Sequence, residues 1–560
     1  MGKFVMETKT IPYMEHFFNR LEQTIKTNWN KPSLCNYNGE QFTYGDLATN
    51  VAKFHLFFNG TGIRKGDKIA LCARNSARWG VSFISITTYG AVVVPILNEF
   101  TPASVASLVD HSGSVLLFTD AEIWNKMDKS DISKVRCVIN CSDFTLLYSG
   151  DDEVRNAFEN LQATFNASYP MGYTAENVHY PQDNLDDLAI INYTSGTTSA
   201  PKGVMITYGN ISATTIYGME HMPCSSDDKI VSMLPMGHIY GLVFEFLYTL
   251  CSGVQIYFLG KTPSPSLLLK ALRDVKPYMI VTVPLVMEKI FKSAIKPAVS
   301  KWYMKILLHI PGISAILYRK IKKKILASFG GNIRMIIMGG AALNPEVEKY
   351  FKRMKLPYTV GYGMTEAAPL LAYEFWKGFK TGSCGKPIDC CEVRIDSEDP
   401  QHIAGEILAK GDNICIGYFN NPEASANLFT DDGFIHTGDL GIIDKDGNLF
   451  IKGRSKSMIL SSAGQNIYPE EVEAVINAND YVAESIVVDR NSKLVALVYL
   501  DKDAIKRDKL DEESISDIPE KVRINSNRTL PSYSQITKIE IVLAPFEKTP
   551  KMSIKRFLYK

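Results

Sequence analysis

No stretch of this chain is apolar for long enough to cross a bilayer. The longest apolar run, residues 303–318, falls short of the roughly 20 residues a spanning helix needs, and Lys305, His309 and Pro311 interrupt it. An excess of one charge sign is also missing. At a net +1 the sequence carries no nucleic-acid footprint, and no nucleic-acid partner is expected. The ten cysteines are scattered without CxxC spacing and form no zinc pattern with the nine histidines, so free thiols in a reducing cytoplasm are expected. The opening residues, MGKFVMETKTIPYMEHFF, are charged and lack an apolar h-region, so a secretory signal is not expected. Met6 stands where myristoylation of Gly2 requires Ser or Thr. Internal repeats and low-complexity segments are absent.

What is present is an ordinary globular composition, 46% hydrophobic and 22% charged, over 560 residues. That length is too great for one simple core. Residues 12–60 read as helical with an interrupting strand near 41–44. Beyond them, short apolar strands (67–72, VVVPI, SVLLFTD, KIVSMLP, VQIYFLG, YMIVTVP, RMIIMGG) alternate with helical stretches such as 78–90 and 104–112. Alternation of this kind predicts layered, mostly parallel α/β sheets, with ligands at the carboxyl ends of the strands. This places Pro235, Pro284, Gly339 and Gly340 on one functional edge. After about residue 380 the texture changes to short alternating segments rich in Gly and Asp, which predict a small antiparallel β-barrel or a hairpin array. From 455 onward a helix, strands and an acidic helical stretch read as a separate α+β module. The expected domains are therefore 1–454 and 455–560.

The most informative stretch is 193–204, YTSGTTSAPKGV. The apolar LAIINY before it reads as a buried strand ending near Tyr193, and a short strand and a helix follow it. A hydroxyl- and glycine-rich loop leaving a strand end offers backbone N–H groups, hydroxyls and a cation to a polyphosphate. Thr194, Ser195, Gly196, Thr197, Thr198 and Lys202 are thus candidate ATP-binding residues. Pro201 stands where a Walker A motif needs glycine, which argues against a P-loop NTPase.

Five more stretches accompany the loop: LPMGHIYG (234–241); MGGAAL (338–343) with GYGMTE (361–366); HTGDLG (436–441); IKGRSKSMILSSAGQNIYPEEVE (451–473); and EKTPKMSIKRFLY (547–559). Taken singly, each is ordinary. A lone histidine is usually structural, a glycine turn is often only a turn, and basic residues in a linker are usually solvated. In this order and spacing they resemble the AMP-forming adenylate synthetases, which include acyl-CoA ligases, luciferases and peptide-synthetase adenylation domains. The resemblance spans about 40–556, and the regions around 297–347 and 361–372 are most similar to long-chain fatty acyl-CoA synthetases. Ser199 stands where that family usually has glycine.

The resemblance implies ATP-dependent activation of a fatty acid to an acyl-adenylate, with pyrophosphate release, then transfer to the thiol of coenzyme A. A carrier-protein thiol is the alternative acceptor. It implies His238 at the mouth of the acyl pocket and a purine lying along Gly340, Ala341, Gly361, Tyr362, Gly363 and Thr365. Asp439 would accept from the ribose hydroxyls, and Arg454 would contact ribose or phosphate. Mg²⁺ would be held by Glu366 with Thr194 and phosphate oxygens. Lys456 falls at the hinge of a mobile C-terminal domain, and Gly464 in a loop that turns toward the coenzyme A side. The expected adenylation lysine falls on Ser553. Lys551 is the replacement favoured here and Lys555 the alternative, since both would share that residue's face in an extended segment. Ser553 also keeps open a non-catalytic acyl- or nucleotide-binding homologue. Finally, lysines at 289–301 and the cluster at 319–324 flank the longest apolar run. They read either as a solvated face over a core-packed helix pair or as a peripheral contact with an anionic membrane.

Overall fold

The computed structural model describes residues 15–182, 184–194, 201–261, 264–299, 301–460, 466–490, 493–548 and 554–559, without the side chains at 131, 293, 294, 298, 305, 456, 466 and 533. Its large N-terminal part is built on two seven-stranded sheets. One runs in the order Leu146–Ser149, Cys137–Asn140, Leu116–Thr119, Lys68–Cys72, Val92–Pro95, Leu188–Thr194, Lys202–Thr207. The other runs Tyr358–Val360, Met335–Met338, Met279–Thr282, Lys229–Ser232, Gln255–Phe258, Pro32–Asn36, Gln41–Thr43. Most neighbours are parallel. Their strands are accordingly short apolar runs buried on both faces, as in Met279–Thr282 and Met335–Met338.

The helices follow local signals. Thr207 caps Tyr208–His221 in a capping box with Asn210, and Thr43 does the same for Tyr44–Gly60 with Asp46. The latter helix packs on Ala77–Tyr89, where the Phe58 ring meets Tyr89 edge-on and a His55 ring nitrogen lies 3.1 Å from the Ser85 carbonyl.

Three details differ from the sequence reading. The stretch 12–60 holds an additional strand, Pro32–Asn36, which pairs in parallel with Gln255–Phe258. Its Ser33, Leu34 and Cys35 are fully buried, so a tertiary partner more than two hundred residues away overrides a short helix-compatible run. The single functional edge is shared by two sheets, because Leu188–Thr194 belongs to one and the strands ending near Met233, Val283 and Gly339 belong to the other. The two edges are joined where the Asn192 side-chain amide donates to the Gly237 carbonyl at 2.9 Å. The antiparallel region after residue 380 consists of a four-stranded sheet, Cys391–Asp396, Gly405–Gly411, Ile435–Ile443 and Leu449–Arg454, beside a three-stranded one, Tyr362–Gly363, Leu370–Tyr373 and Lys386–Pro387. These are stitched together by Cys384 N–H to Leu449 O and Leu449 N–H to Gly385 O, both 2.8 Å.

The smaller C-terminal part is α+β. Val482–Arg490, Lys493–Leu500 and Lys538–Val542 form a sheet. Helices Pro469–Asn477 and Ile518–Asn527 cover it, around a separate core including Val472, Ile476, Ala496 and Val522. Among the described residues no helix is long and apolar enough to cross a membrane.

Candidate functional site: two polar knots beside an apolar cleft

The first knot lies at the foot of the hydroxyl-rich loop. Residues 195–200, with Ser195, Gly196, Thr197 and Thr198, lie outside the described residues, but both ends of the loop are described. Thr194 and Lys202 are cross-strand partners, and the Thr194 hydroxyl lies 3.4 Å from the Lys202 carbonyl. The Lys202 ammonium sits 4.7 Å from the centre of the Tyr418 ring, a cation–π contact. The Tyr418 hydroxyl donates to Glu366 Oε1 at 2.8 Å. Residues 417–419 run antiparallel to the Lys202 strand, through Met205 N–H to Gly417 O and Phe419 N–H to Gly203 O. The fold thus gathers a hydroxyl, a cation and a carboxylate from three separate stretches at the loop's foot. Tyr418, which holds the set together, escaped the sequence reading; its only local signal is an aromatic beside a glycine in GYFNNPEA. Carboxylate and hydroxyl oxygens are the hard donors Mg²⁺ takes. Among the described residues no cluster of three or more His, Cys, Asp or Glu offers a metal cage, so an ion here would complete its shell with phosphate and water.

The second knot centres on Asp439. Tyr362 is buried, and its hydroxyl donates to Asp439 Oδ2 at 2.7 Å. Arg454 Nε stands 3.1 Å from Oδ1 of the same carboxylate. Asp439 and Arg454 are also register partners on adjacent strands. Burial pushes the Asp439 carboxyl above its usual range, and Arg454 and Tyr362 pull it back. Each carboxylate oxygen keeps acceptor capacity beyond these contacts. Tyr362, expected to stack on a purine, therefore also orients the ribose-acceptor candidate.

Between the knots runs a glycine seam. Gly340 has φ +81°, in the left-handed region. At Gly363 a Cβ would lie 1.8 Å from the Pro369 carbonyl oxygen, so only glycine fits there. Gly361, Tyr362 and Gly363 line a cleft holding about 520 Å³ of empty space, open solvent included, together with Gly339 and Gly340, which leave the adjacent strand. Ala341 is exposed just beyond the seam, and Thr365 is buried in the turn Thr365–Ala367. The cleft continues into an apolar lining that includes Met222, Phe244, Ile337, Leu370 and Tyr373. His238 lines it too, its Nδ1 accepting from the Tyr240 N–H at 3.2 Å.

Under this wall lies a second residue the sequence did not disclose. Glu245 is fully buried in a π-helical turn, Leu242–Leu247. Its Oε2 accepts from Ser232 Oγ, Met233 N–H and Leu234 N–H at 2.9–3.0 Å. Its other oxygen is buried without a partner. Burial raises its pKa to about 8 against the pull of those donors. It clamps the end of the strand that leads to His238.

The remaining candidates lie in the C-terminal part. Lys456 falls in the turn Ser455–Ser457 directly after Arg454, and its side chain is outside the described set. Gly464, Lys551 and Ser553 are outside it altogether. The ends of the tail are described: Lys548 bridges Ile554, Lys555 N–H donates to Glu547 O, and the Lys555 ammonium lies 3.4 Å from Glu547. Arg556 pairs with Glu473 on the first helix of this part. Burial pushes that carboxyl up to about 7 even with Arg556 pulling it down.

Known proteins resemble this chain over most of its length. The family model described as AMP-binding enzyme matches residues 21–419, and that described as AMP-binding enzyme C-terminal domain matches 456–559. A Bacillus subtilis long-chain-fatty-acid–CoA ligase is 29% identical, covering 88% of both chains. The Mycobacterium tuberculosis long-chain-fatty-acid–CoA ligase FadD15 is 26% identical over 92% of this chain and 89% of its own. An Arabidopsis thaliana 4-coumarate–CoA ligase is 30% identical over 83% and 79%. Among solved structures, ATP-bound MatB from Rhodopseudomonas palustris superposes with a TM-score of 0.74 at 22% identity, covering 96% and 97%. An anthranilate CoA ligase bound to anthranoyl-AMP gives 0.77 at 19%, covering 99% and 98%. With a family model covering most of its length, the chain belongs to the AMP-binding enzyme family of adenylate-forming synthetases.

Proposed function

We propose that this protein is an AMP-forming acid–thiol ligase acting on fatty acids, with coenzyme A as the thiol. The observation carrying this reading is the adjacency of an Asp439-centred polar knot to an apolar cleft through one glycine seam. A carboxylate is a poor acyl donor because oxide is a poor leaving group. Its attack on the α-phosphate of ATP forms an acyl–phosphate bond, breaks the bond to pyrophosphate, and leaves AMP as the group a thiolate later displaces. Lys202 and the loop it follows would neutralise phosphate charge, and Asp439 and Arg454 would fix the nucleotide. Positioning and electrostatics of this kind supply most of such catalysis. Mg²⁺, held by Glu366 and Thr194, would screen the phosphate oxygens against the incoming carboxylate. His238 and the apolar lining would place the acid's carboxyl end at the seam. The two-domain division at 454/455, with a pivot at Lys456, would let the C-terminal part present first a tail lysine, Lys551, and then the loop carrying Gly464.

The long-chain choice rests on the apolar lining and on the fatty-acid ligases among the relatives. Pyrophosphate release from ATP with palmitate, with and without coenzyme A, tests it. Palmitate-dependent release with consumption of coenzyme A is expected. Absence of any fatty-acid-dependent pyrophosphate would defeat the ligase reading and favour a binding homologue. Release without consumption of coenzyme A would assign a different acceptor, such as a carrier-protein thiol.

A further inference from the structure

Between Glu288 and Glu346 the chain contains no acidic residue and eleven Lys or Arg, while the rest of the sequence carries 50 basic against 60 acidic residues. This segment is inserted between the strands Met279–Thr282 and Met335–Met338. Its middle is two helices, Trp302–Leu307 and Ile313–Ser328, joined by a short turn. The second buries only Tyr318 and Ile325. The turn and the helix ends beside it instead face outward with large apolar groups: Trp302 is 75% exposed, Ile316 58% and Ile306 57%, joined by Tyr303, Ile310 and Ile313. On the second helix Ile316, Lys320 and Lys323 recur at i, i+4 and i+7, so the apolar crest passes directly into an exposed cationic flank. Lys301, Arg319 and Lys324 are exposed around it. Exposed large side chains this concentrated mark an interaction surface.

We propose that residues 301–324 form a docking surface for an anionic lipid bilayer. The apolar crest would enter the headgroup region, with Trp302 at the interface, while the lysines would lie at the level of the acidic headgroups. The charge pattern selects this occupant: one chain segment gathers an acid-free run of lysines and arginines around a cluster of exposed apolar side chains. The inference does not depend on the catalytic reading, since binding is measured without substrate.

The test is flotation of the full chain with vesicles of phosphatidylcholine, alone or with phosphatidylglycerol, at low and high salt. Binding to the anionic vesicles that weakens with salt is expected. K320Q/K323Q is expected to lower partitioning roughly 30-fold, from two cations at about 1 kcal/mol each. W302S/I306S is expected to lower it about tenfold or more, since binding scales with inserted apolar area. Both variants change exposed positions, and an unchanged thermal midpoint verifies the fold. Equal binding to neutral vesicles, salt-insensitive binding, or wild-type binding by both variants would overturn the proposal. So would a vesicle-free dimer that W302S/I306S abolishes, which would assign the crest to a second copy of the chain.

Discussion

Replacing Glu245 with glutamine should make the protein more stable as the pH rises, although the change removes a buried carboxylate with three hydrogen bonds. All three donors, Ser232 Oγ and the N–H groups of Met233 and Leu234, converge on one oxygen, and a glutamine carbonyl can replace it. The other oxygen has no partner, so the amide group placed there forfeits no bond. In the unfolded chain the carboxyl titrates at its ordinary 4.5, whereas in the folded protein burial holds it near 8. The folded state therefore binds the extra proton throughout that interval, and its stability falls with rising pH by about 1.4 kcal/mol per unit. The penalty is absent below about pH 4.5, reaches about 3 kcal/mol at pH 7, and levels off near 5 kcal/mol above pH 8. Glutamine does not titrate and carries none of it.

The assay is the thermal midpoint of the large domain, recorded for variant and wild type from pH 5 to pH 8. Taking the difference cancels the titration of every other group. At roughly 1–2 °C per kcal/mol for a unit this large, the variant's advantage should grow by about 5 °C over that range. A difference that stays flat would mean that Glu245 is solvated and titrates normally, and the picture of a neutral clamp beneath the His238 wall would fall. Glu245→Leu supplies the opposite control: three stranded donors should destabilise the domain by about 3 kcal/mol or more at pH 5, and because leucine does not titrate either, that deficit should shrink toward pH 8 as the wild type loses stability.

Four further outcomes follow from the two knots, the seam and the tail. Tyr362→Phe removes a donor from the Asp439 carboxylate and should lower kcat/KM for ATP roughly tenfold, read from initial rates against ATP. Glu366→Gln should raise the Mg²⁺ concentration for half-maximal pyrophosphate release by about tenfold, since a charged oxygen ligand becomes neutral; an unchanged Mg²⁺ titration would remove Glu366 from the metal site. Gly363→Ala would force a Cβ against the Pro369 carbonyl and should cost about 1–3 kcal/mol together with nucleotide binding, seen by thermal shift with and without ATP. Arg556→Ala leaves Glu473 without its cation and should destabilise the C-terminal part by about 3–5 kcal/mol. Because its carboxyl, already near 7, is pushed higher still, that loss should grow between pH 7 and pH 8.

What could be read in the sequence depended on how local its physical cause is. The hydroxyl-rich loop stands out because its hydroxyls, glycines and lysine lie within twelve residues at the end of a strand whose apolar run is unambiguous. The parallel strands are legible for the same reason: residues buried on both faces write continuous apolar runs. The strand Pro32–Asn36 was not legible, because its partner lies at Gln255–Phe258 and nothing in PSLCN demands pairing. Tyr418 and Glu245 were missed because each acquires its role only across the fold. Tyr418 meets a carboxylate fifty-two positions away. Glu245, on its own sequence, is a single acid in an apolar helix. The Asp439 site was legible only through the company of the other motifs, since a Thr-Gly-Asp turn alone specifies no ligand.

The same geometry bears on where the proposed domain rotation would begin. Arg454 is the last residue of Leu449–Arg454, paired in register with Asp439, and its guanidinium is the cation on that mostly buried carboxylate. A pivot before Arg454 would carry the cation away and leave the mostly buried Asp439 carboxylate without it. A pivot at Lys456, in the turn Ser455–Ser457 just beyond the paired strand, leaves Arg454 and the ribose-acceptor knot with the large domain. What must then separate lies on the other side of the joint. There Lys292 donates to the carbonyls of Asn477 and Val482, and Lys296 pairs with Asp480 at 2.8 Å. Both ammonium groups are partly covered at this junction, and separation of the two parts would return them and the Asp480 carboxylate to water. The proposed hinge thus sits just beyond the last strand residue whose side chain supplies the cation on the Asp439 carboxylate.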